Sequence, residues 1–148
     1  MSNVLNPVEL TSALIKCKSI TPTSAGSIDL IITYLETMGF TCTKLDFGQG
    51  DEKVENLYAR LGSLEPNICF AGHVDVVPTG DEQSWSIDPF GGEIKKGKIW
   101  GRGAADMKSG IAAFIAAVSE FMETNKNLKD YGSISFIITS DEEGKAIN

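Results

Sequence analysis

The sequence predicts an α/β fold, with helices packed on a mostly buried sheet. Two observations carry this. Apolar residues recur at helical spacing in three stretches, from Leu10 to Cys17, Ile28 to Met38 and Met107 to Met122. Short runs dense in apolar residues, such as Ile68 to Ala71 and Ile134 to Ile138, read as buried strands.

The elements follow in order. Asn6-Pro7-Val8-Glu9 starts a helix: Asn6 can cap it, Pro7 suits the first turn and Glu9 can complete a capping box. Leu10, Leu14 and Cys17 share a face, and the Thr21-Pro22 step is expected to end the helix. A second helix covers roughly Ala25 to Met38, with Ile28, Ile31, Leu35 and Met38 on one face and Gly39 as its stop. Phe40 to Phe47 alternates as a strand. Gly48 to Glu55 is a polar turn, and Asn56 to Leu61 and Asn67 to Gly72 are the next two strands. Thr79 to Phe90 is a loop, and Glu93 to Trp100 a small hairpin. From Ala104 to about Asn125 a broad apolar stripe predicts a helix, its alanines allowing close packing on a sheet. Tyr131 to Ser140 is the last strand, followed by Asp141-Glu142-Glu143-Gly144. No internal repeat or low-complexity segment interrupts the pattern.

The bulk numbers exclude several classes. With 148 residues, 42% hydrophobic and 22% charged, the chain has the composition of a soluble domain with its own core. Its net charge is -7, and its densest basic cluster, Lys95, Lys96 and Lys98, is too small for a nucleic-acid surface. The longest apolar run, Ile111 to Val118, has eight residues, against roughly 18 to 20 for a membrane span. No basic region followed by an apolar stretch opens the chain, so no signal peptide is expected. Cys17, Cys42 and Cys69 lack CxxC spacing, which argues against a disulfide framework or a cysteine zinc site and fits a reducing cytoplasm.

Three places carry candidate chemistry. His73, the single histidine, follows a predicted strand, with Asp75 two residues on. In extended chain both side chains share one side. A carboxylate there can hold one imidazole nitrogen and leave the other for a metal. HxD alone is a weak signal, since a lone histidine near a strand end is usually structural. Asp106 lies in Gly101-Arg102-Gly103-Ala104-Ala105-Asp106-Met107-Lys108. The aspartate stands where a GxGxxG pattern needs its last glycine, so a nucleotide site is rejected. By itself Asp106 reads as a helix cap or a metal ligand, the cap being the simpler choice. Asp141, Glu142 and Glu143 follow an apolar strand, and carboxylates crowded at a sheet end are costly unless a cation offsets them.

Taken together, these segments resemble the M20 family of zinc-dependent amidohydrolases. The likeness rests on Gly72 to Pro78, Trp85 with Asp88-Pro89-Phe90, Gly101 to Gly110, and Thr139 to Gly144, in that order and spacing. Within the family these segments look most like the branch acting on N-succinyl-LL-2,6-diaminopimelate in lysine and cell-wall biosynthesis. Sibling branches, deacetylases of acetylornithine type and carboxypeptidases, are the alternatives, as is a non-catalytic piece.

The resemblance implies a three-layer α/β/α domain with a mixed, largely parallel sheet, of which this chain is the N-terminal portion. It implies two zinc ions, with cobalt as a substitute. His73 would bind one, Asp106 would bridge both and Glu143 would bind the second. Asp75 would fix the ring of His73, and Glu142 would be the general acid and base. The substrate would be a small N-acyl amino acid, met neither on nucleic acid nor at a membrane, and the full-length form a cytoplasmic homodimer. It implies a cis bond after the bridging Asp106. The family pattern also needs a downstream acid, a second histidine and a lid or dimerisation domain, all absent here. Each zinc would then have two protein ligands where catalytic zinc normally has three, so this chain alone is expected to be inactive.

Overall fold

The computed structural model describes residues 4–127, 130 and 132–146. Helix α1 spans Pro7–Lys16, α2 Ser27–Thr37 and α3 Ser109–Thr124. Strands β1 (Thr41–Phe47), β2 (Val54–Leu61), β3 (Asn67–His73) and β6 (Ser133–Thr139) form one sheet in the order β1-β2-β6-β3. Strands β4 (Glu93–Lys95) and β5 (Lys98–Trp100) make a separate hairpin.

The sheet is mixed. β1 pairs antiparallel with β2 and β2 with β6, while β6 and β3 run parallel. Strand β6 is thus central, although it comes last in the chain. Its Ile134, Phe136 and Ile138 share a face with Leu57, Ala59 and Leu61 of β2, and all three helices cover that face. Leu10 and Leu14 of α1, Ile28, Ile31 and Leu35 of α2, and Ile111, Ile115 and Val118 of α3 complete one core. At its centre Phe136 is fully buried, with the rings of Phe40, Phe70 and Phe114 at 5.4, 6.0 and 5.3 Å. Among the described residues no helix covers the opposite face, where Ile137 lies half exposed. The chain therefore supplies the sheet and one helical layer of the expected three-layer domain.

Two boundaries differ most from the sequence reading. Asn6 caps α1, its side chain accepting from Val8 N–H, but α1 ends at Lys16, well before Pro22. The chain there turns extended because its backbone has a better partner. Ile20 bridges Val76 in parallel, with Val76 N–H donating to Ser19 O at 2.9 Å and Thr21 N–H to Val76 O at 3.1 Å. The long helix, expected from Ala104, starts at Ser109. Residues Ala104–Lys108 form a wide turn in which Asp106 (φ -130°, ψ 101°) and Met107 are not helical. The Asp106–Met107 peptide bond is cis, as are Thr21–Pro22 and Glu65–Pro66. Tyr131, the expected start of the last strand, lies outside the described residues, and β6 begins at Ser133.

Candidate metal centre

Strands β3 and β6 run parallel, so their C-terminal ends meet at one edge, where His73 pairs with Thr139. The chain keeps this pairing one step further, with Val74 N–H donating to Thr139 O at 2.9 Å. The loops after both strands therefore leave the sheet side by side. The wide turn before α3 approaches the same edge. It can come close because Gly103, at φ +78°, has no Cβ; one added there would meet Val76 Cγ1 at 2.5 Å. Gly144 is likewise packed against Thr21 Oγ1 and Asp141 Oδ1, which an added Cβ would meet at 2.5 and 2.6 Å.

These three approaches bring His73, Asp106 and Glu143 together, with one potential ligand atom from each lying within 4.8 Å of the others. His73 is buried, whereas the Asp106 side chain is 76% exposed. Nδ1 of His73 faces the Asp75 main-chain carbonyl at 3.1 Å and the Asp75 carboxylate at 3.5 Å. Both are acceptors, so Nδ1 carries a proton and Nε2 is the nitrogen turned to the cluster. Nε2 stands 3.1 Å from Asp106 Oδ1 and 3.8 Å from Glu142 Oε2. A neutral ring with its proton on Nδ1 would set two lone pairs against each other at 3.1 Å. A second proton or a cation must lie between them.

The electrostatics agree. The Asp75 hydrogen bond raises the His73 pKa against the opposing effect of burial, and with Asp106 helping it reaches about 9. Asp75 is fully buried, which opposes its ionisation. Hydrogen bonds from His73 and from the N–H groups of Glu143 (2.9 Å) and Glu142 (3.2 Å) outweigh burial and hold its carboxyl below the ordinary value. Asp75 thus ties the loop after β3 to the loop after β6. Besides the His73 ring, its carboxylate takes two main-chain amides that the sequence reading did not assign to it. Asp106 does not cap α3, whose N-terminus has no side-chain cap.

A nitrogen of His73 and carboxylates of Asp106 and Glu143, converging at one place, form a donor set suited to zinc or another divalent metal of similar preference. The model for peptidase family M20/M25/M40 matches residues 69–147, which include all three. The chain belongs to this family. It is 57% identical over 144 residues to a succinyl-diaminopimelate desuccinylase of Rhodospirillum centenum, a match covering 97% of this chain and 37% of the relative. A protein of the same name from Caulobacter vibrioides is 53% identical over 143 residues, covering 96% of this chain and 34% of that one. The chain therefore spans about a third of the length of these curated relatives. Human carnosine dipeptidase 1 superposes with a TM-score of 0.80 at 27% identity, covering 95% of this chain and 33% of that one. An M20 metallo-carboxypeptidase of Sulfolobus solfataricus gives 0.75 at 19% identity over 90% of this chain and 30% of its own, a likeness of fold.

One residue beside this M20 cluster had no role in the sequence reading. Lys108 is fully buried, and burial pulls its pKa down to about 8. Its Nζ donates to Leu14 O at 2.8 Å and Cys17 O at 2.9 Å. The signal was present: Lys108 precedes Ile111, Ala112 and Ile115 at helical spacing, which sets a lysine on the apolar stripe.

Proposed function

We propose that this chain is the N-terminal part of the catalytic domain of a hydrolase that cleaves N-succinyl-LL-2,6-diaminopimelate into succinate and LL-2,6-diaminopimelate. The observation that carries the reading is the convergence of His73, Asp106 and Glu143 within 4.8 Å, in a chain 57% identical to a succinyl-diaminopimelate desuccinylase. His73 Nε2, with its other nitrogen held by Asp75, is one ligand. The two carboxylate oxygens of Asp106 suit a bridge between two zinc ions, and Glu143 completes what this chain offers. When bound, the metal supplies Lewis acidity toward the amide carbonyl and the attacking water. Glu142 is the proton carrier. Its side chain is 59% exposed beside the cluster, and Asp75 Oδ1 fixes its main-chain N–H. Glu142 Oε2 accepts the proton of the attacking water and returns it to the leaving amine nitrogen.

The remaining ligands, the lid and the dimer contact belong on this reading to polypeptide beyond the chain, so the 148 residues alone hydrolyse nothing. The reading places the reaction in the cytoplasm, in keeping with three free thiols, Cys17, Cys42 and Cys69. The test compares succinate release from N-succinyl-LL-2,6-diaminopimelate with acetate release from N-acetylornithine and cleavage of a C-terminal residue from a peptide. The complete, zinc-loaded polypeptide containing this chain is used. Desuccinylation is expected to dominate. Faster turnover of either other substrate overturns the choice of branch.

A further inference from the structure

We propose that Lys108 is a positioning residue for the cation site. Its buried ammonium locks the turn carrying Asp106 onto the C-terminal end of α1 and so holds the Asp106 carboxylate against His73. The inference rests on the metal-site reading above.

A fully buried lysine is rare, and an ammonium without a compensating partner is expensive inside a protein. Among the described residues Lys108 pairs with no carboxylate. Its partners are Leu14 O and Cys17 O, at 2.8 and 2.9 Å. These carbonyls lie at the end of α1, where the helix dipole is negative; each already accepts one main-chain N–H, from Cys17 and Ser19 respectively, and turns its second lone pair to the ammonium. The end of α1 is thus a socket for a cation. The ammonium fills it from a neighbouring element, since Lys108 closes the wide turn, its own N–H donating to Gly103 O at 3.0 Å. Asp106 lies inside that turn and is exposed, with no cap to hold it.

The segment Lys108 grips is the one that holds the histidine. Three residues past Leu14 stands Cys17, and the chain then runs into the contacts that zip it to the loop after β3. Ser19 Oγ donates to Val74 O at 2.7 Å, and Val76 N–H donates to Ser19 O at 2.9 Å. Residues 14–21 are therefore a common base. From one end Lys108 fixes the Asp106 turn, and from the other the Ile20–Val76 bridge fixes the residues flanking His73 and Asp75. The 3.1 Å between His73 Nε2 and Asp106 Oδ1 is set through this base. Lys108 itself, sealed from solvent, touches neither metal nor substrate.

The experiment uses the 148-residue chain and Co2+ as the probe, with Lys108→Met, His73→Ala and a control, Leu10→Ala. The control removes core volume from α1 without touching the turn. Lys108→Met is expected to stay folded by far-UV circular dichroism. It should bind Co2+ about 10- to 100-fold more weakly, the usual cost of removing a group that orients a ligand, with an altered visible band. Leu10→Ala should lower the urea midpoint yet keep the parent's cobalt affinity and band. In metal-free protein, the 15N shift of the single imidazole should move in Lys108→Met and stay in Leu10→Ala. Parent-like cobalt binding and an unmoved imidazole in folded Lys108→Met overturn the inference, as does an equal loss in Leu10→Ala. If Lys108→Met does not fold, Lys108→Gln, which keeps an N–H donor but not the charge, takes its place with the same two readouts. Cobalt binding by the parent that survives His73→Ala overturns the metal-site reading instead, and the inference with it. Loss in His73→Ala together with parent-like Lys108 variants overturns the inference alone.

Discussion

A metal reaching this site has to displace a proton from His73. In the metal-free chain the imidazole is held by Asp75 on one side and Asp106 on the other, and its pKa stands at about 9. At about pH 7 the ring is two units below that value, so only about one molecule in 100 presents a bare Nε2. Metal affinity at about pH 7 should therefore be about 100-fold below its alkaline plateau, a cost of about 2.7 kcal/mol at 1.36 kcal/mol per unit. Three quantities follow for Zn2+ titrated against a chromophoric chelator in the 148-residue chain. The logarithm of affinity should rise with pH at a slope near 1 from about pH 6.5 to 8.5 and then flatten. About one proton should leave His73 per metal bound at neutral pH. In Asp75→Asn, which removes the largest cause of the raised pKa, the break should fall back toward 6.5, while the plateau drops because the ring is held less firmly. An affinity independent of pH between about 7 and 9, or no proton release, would refute the claim that proton and metal compete for one nitrogen.

The metal-free chain should also show a stability profile with two opposed limbs. The raised pKa of His73 means the folded state holds the extra proton between 6.5 and about 9, so stability falls with pH, by about 2 kcal/mol from about 6.5 to 8. The depressed pKa of Lys108 means the unfolded chain holds the extra proton from about 8 to 10.5, which offsets the His73 limb between about 8 and 9 and makes stability climb from about 9 to 10.5. Urea midpoints that rise from about pH 6.5 to 8 contradict the first limb. In the complete polypeptide, Glu143→Ala should lower zinc content, while Glu142→Ala should keep zinc and lose turnover by a factor on the order of 10² to 10⁴. Zinc loss in Glu142→Ala with retention in Glu143→Ala would swap the two roles. Phe136→Ala, removing the fully buried ring between Phe40, Phe70 and Phe114, should cost about 3 to 5 kcal/mol by urea titration, and a loss below about 1 kcal/mol would mean the core collapses onto the gap.

Much of this was legible in the residues. Asn6 caps because its side chain and the Pro7 ring both suit a first turn, a local matter that sequence displays. The apolar stripe of α3 and the dense strand β6 are legible for the same reason. The end of α1 was not. Nothing local to Lys16 stops a helix; the segment unwinds because Val76, far along the chain, offers its backbone a parallel partner. The wide turn at Ala104–Lys108 escaped as well. Its alanines favour helix, while the position of Asp106 is decided by the sheet edge it faces. The meeting of His73, Asp106 and Glu143 could be expected only from several motifs taken together, since each alone has an ordinary structural reading.

The place of β6 has a consequence for how the molecule comes to exist. Strands β2 and β3 are neighbours in sequence yet never touch in the sheet; β6, the last of the four in sequence, lies between them. During synthesis the two earlier strands must wait with their facing edges unpaired, and every contact that closes the sheet spans a long loop. Such non-local pairing is slow, and the waiting edges are open to the wrong partner. The cluster of His73, Asp106 and Glu143 is complete only once Ser133–Thr139 has docked and brought Glu143 in behind it.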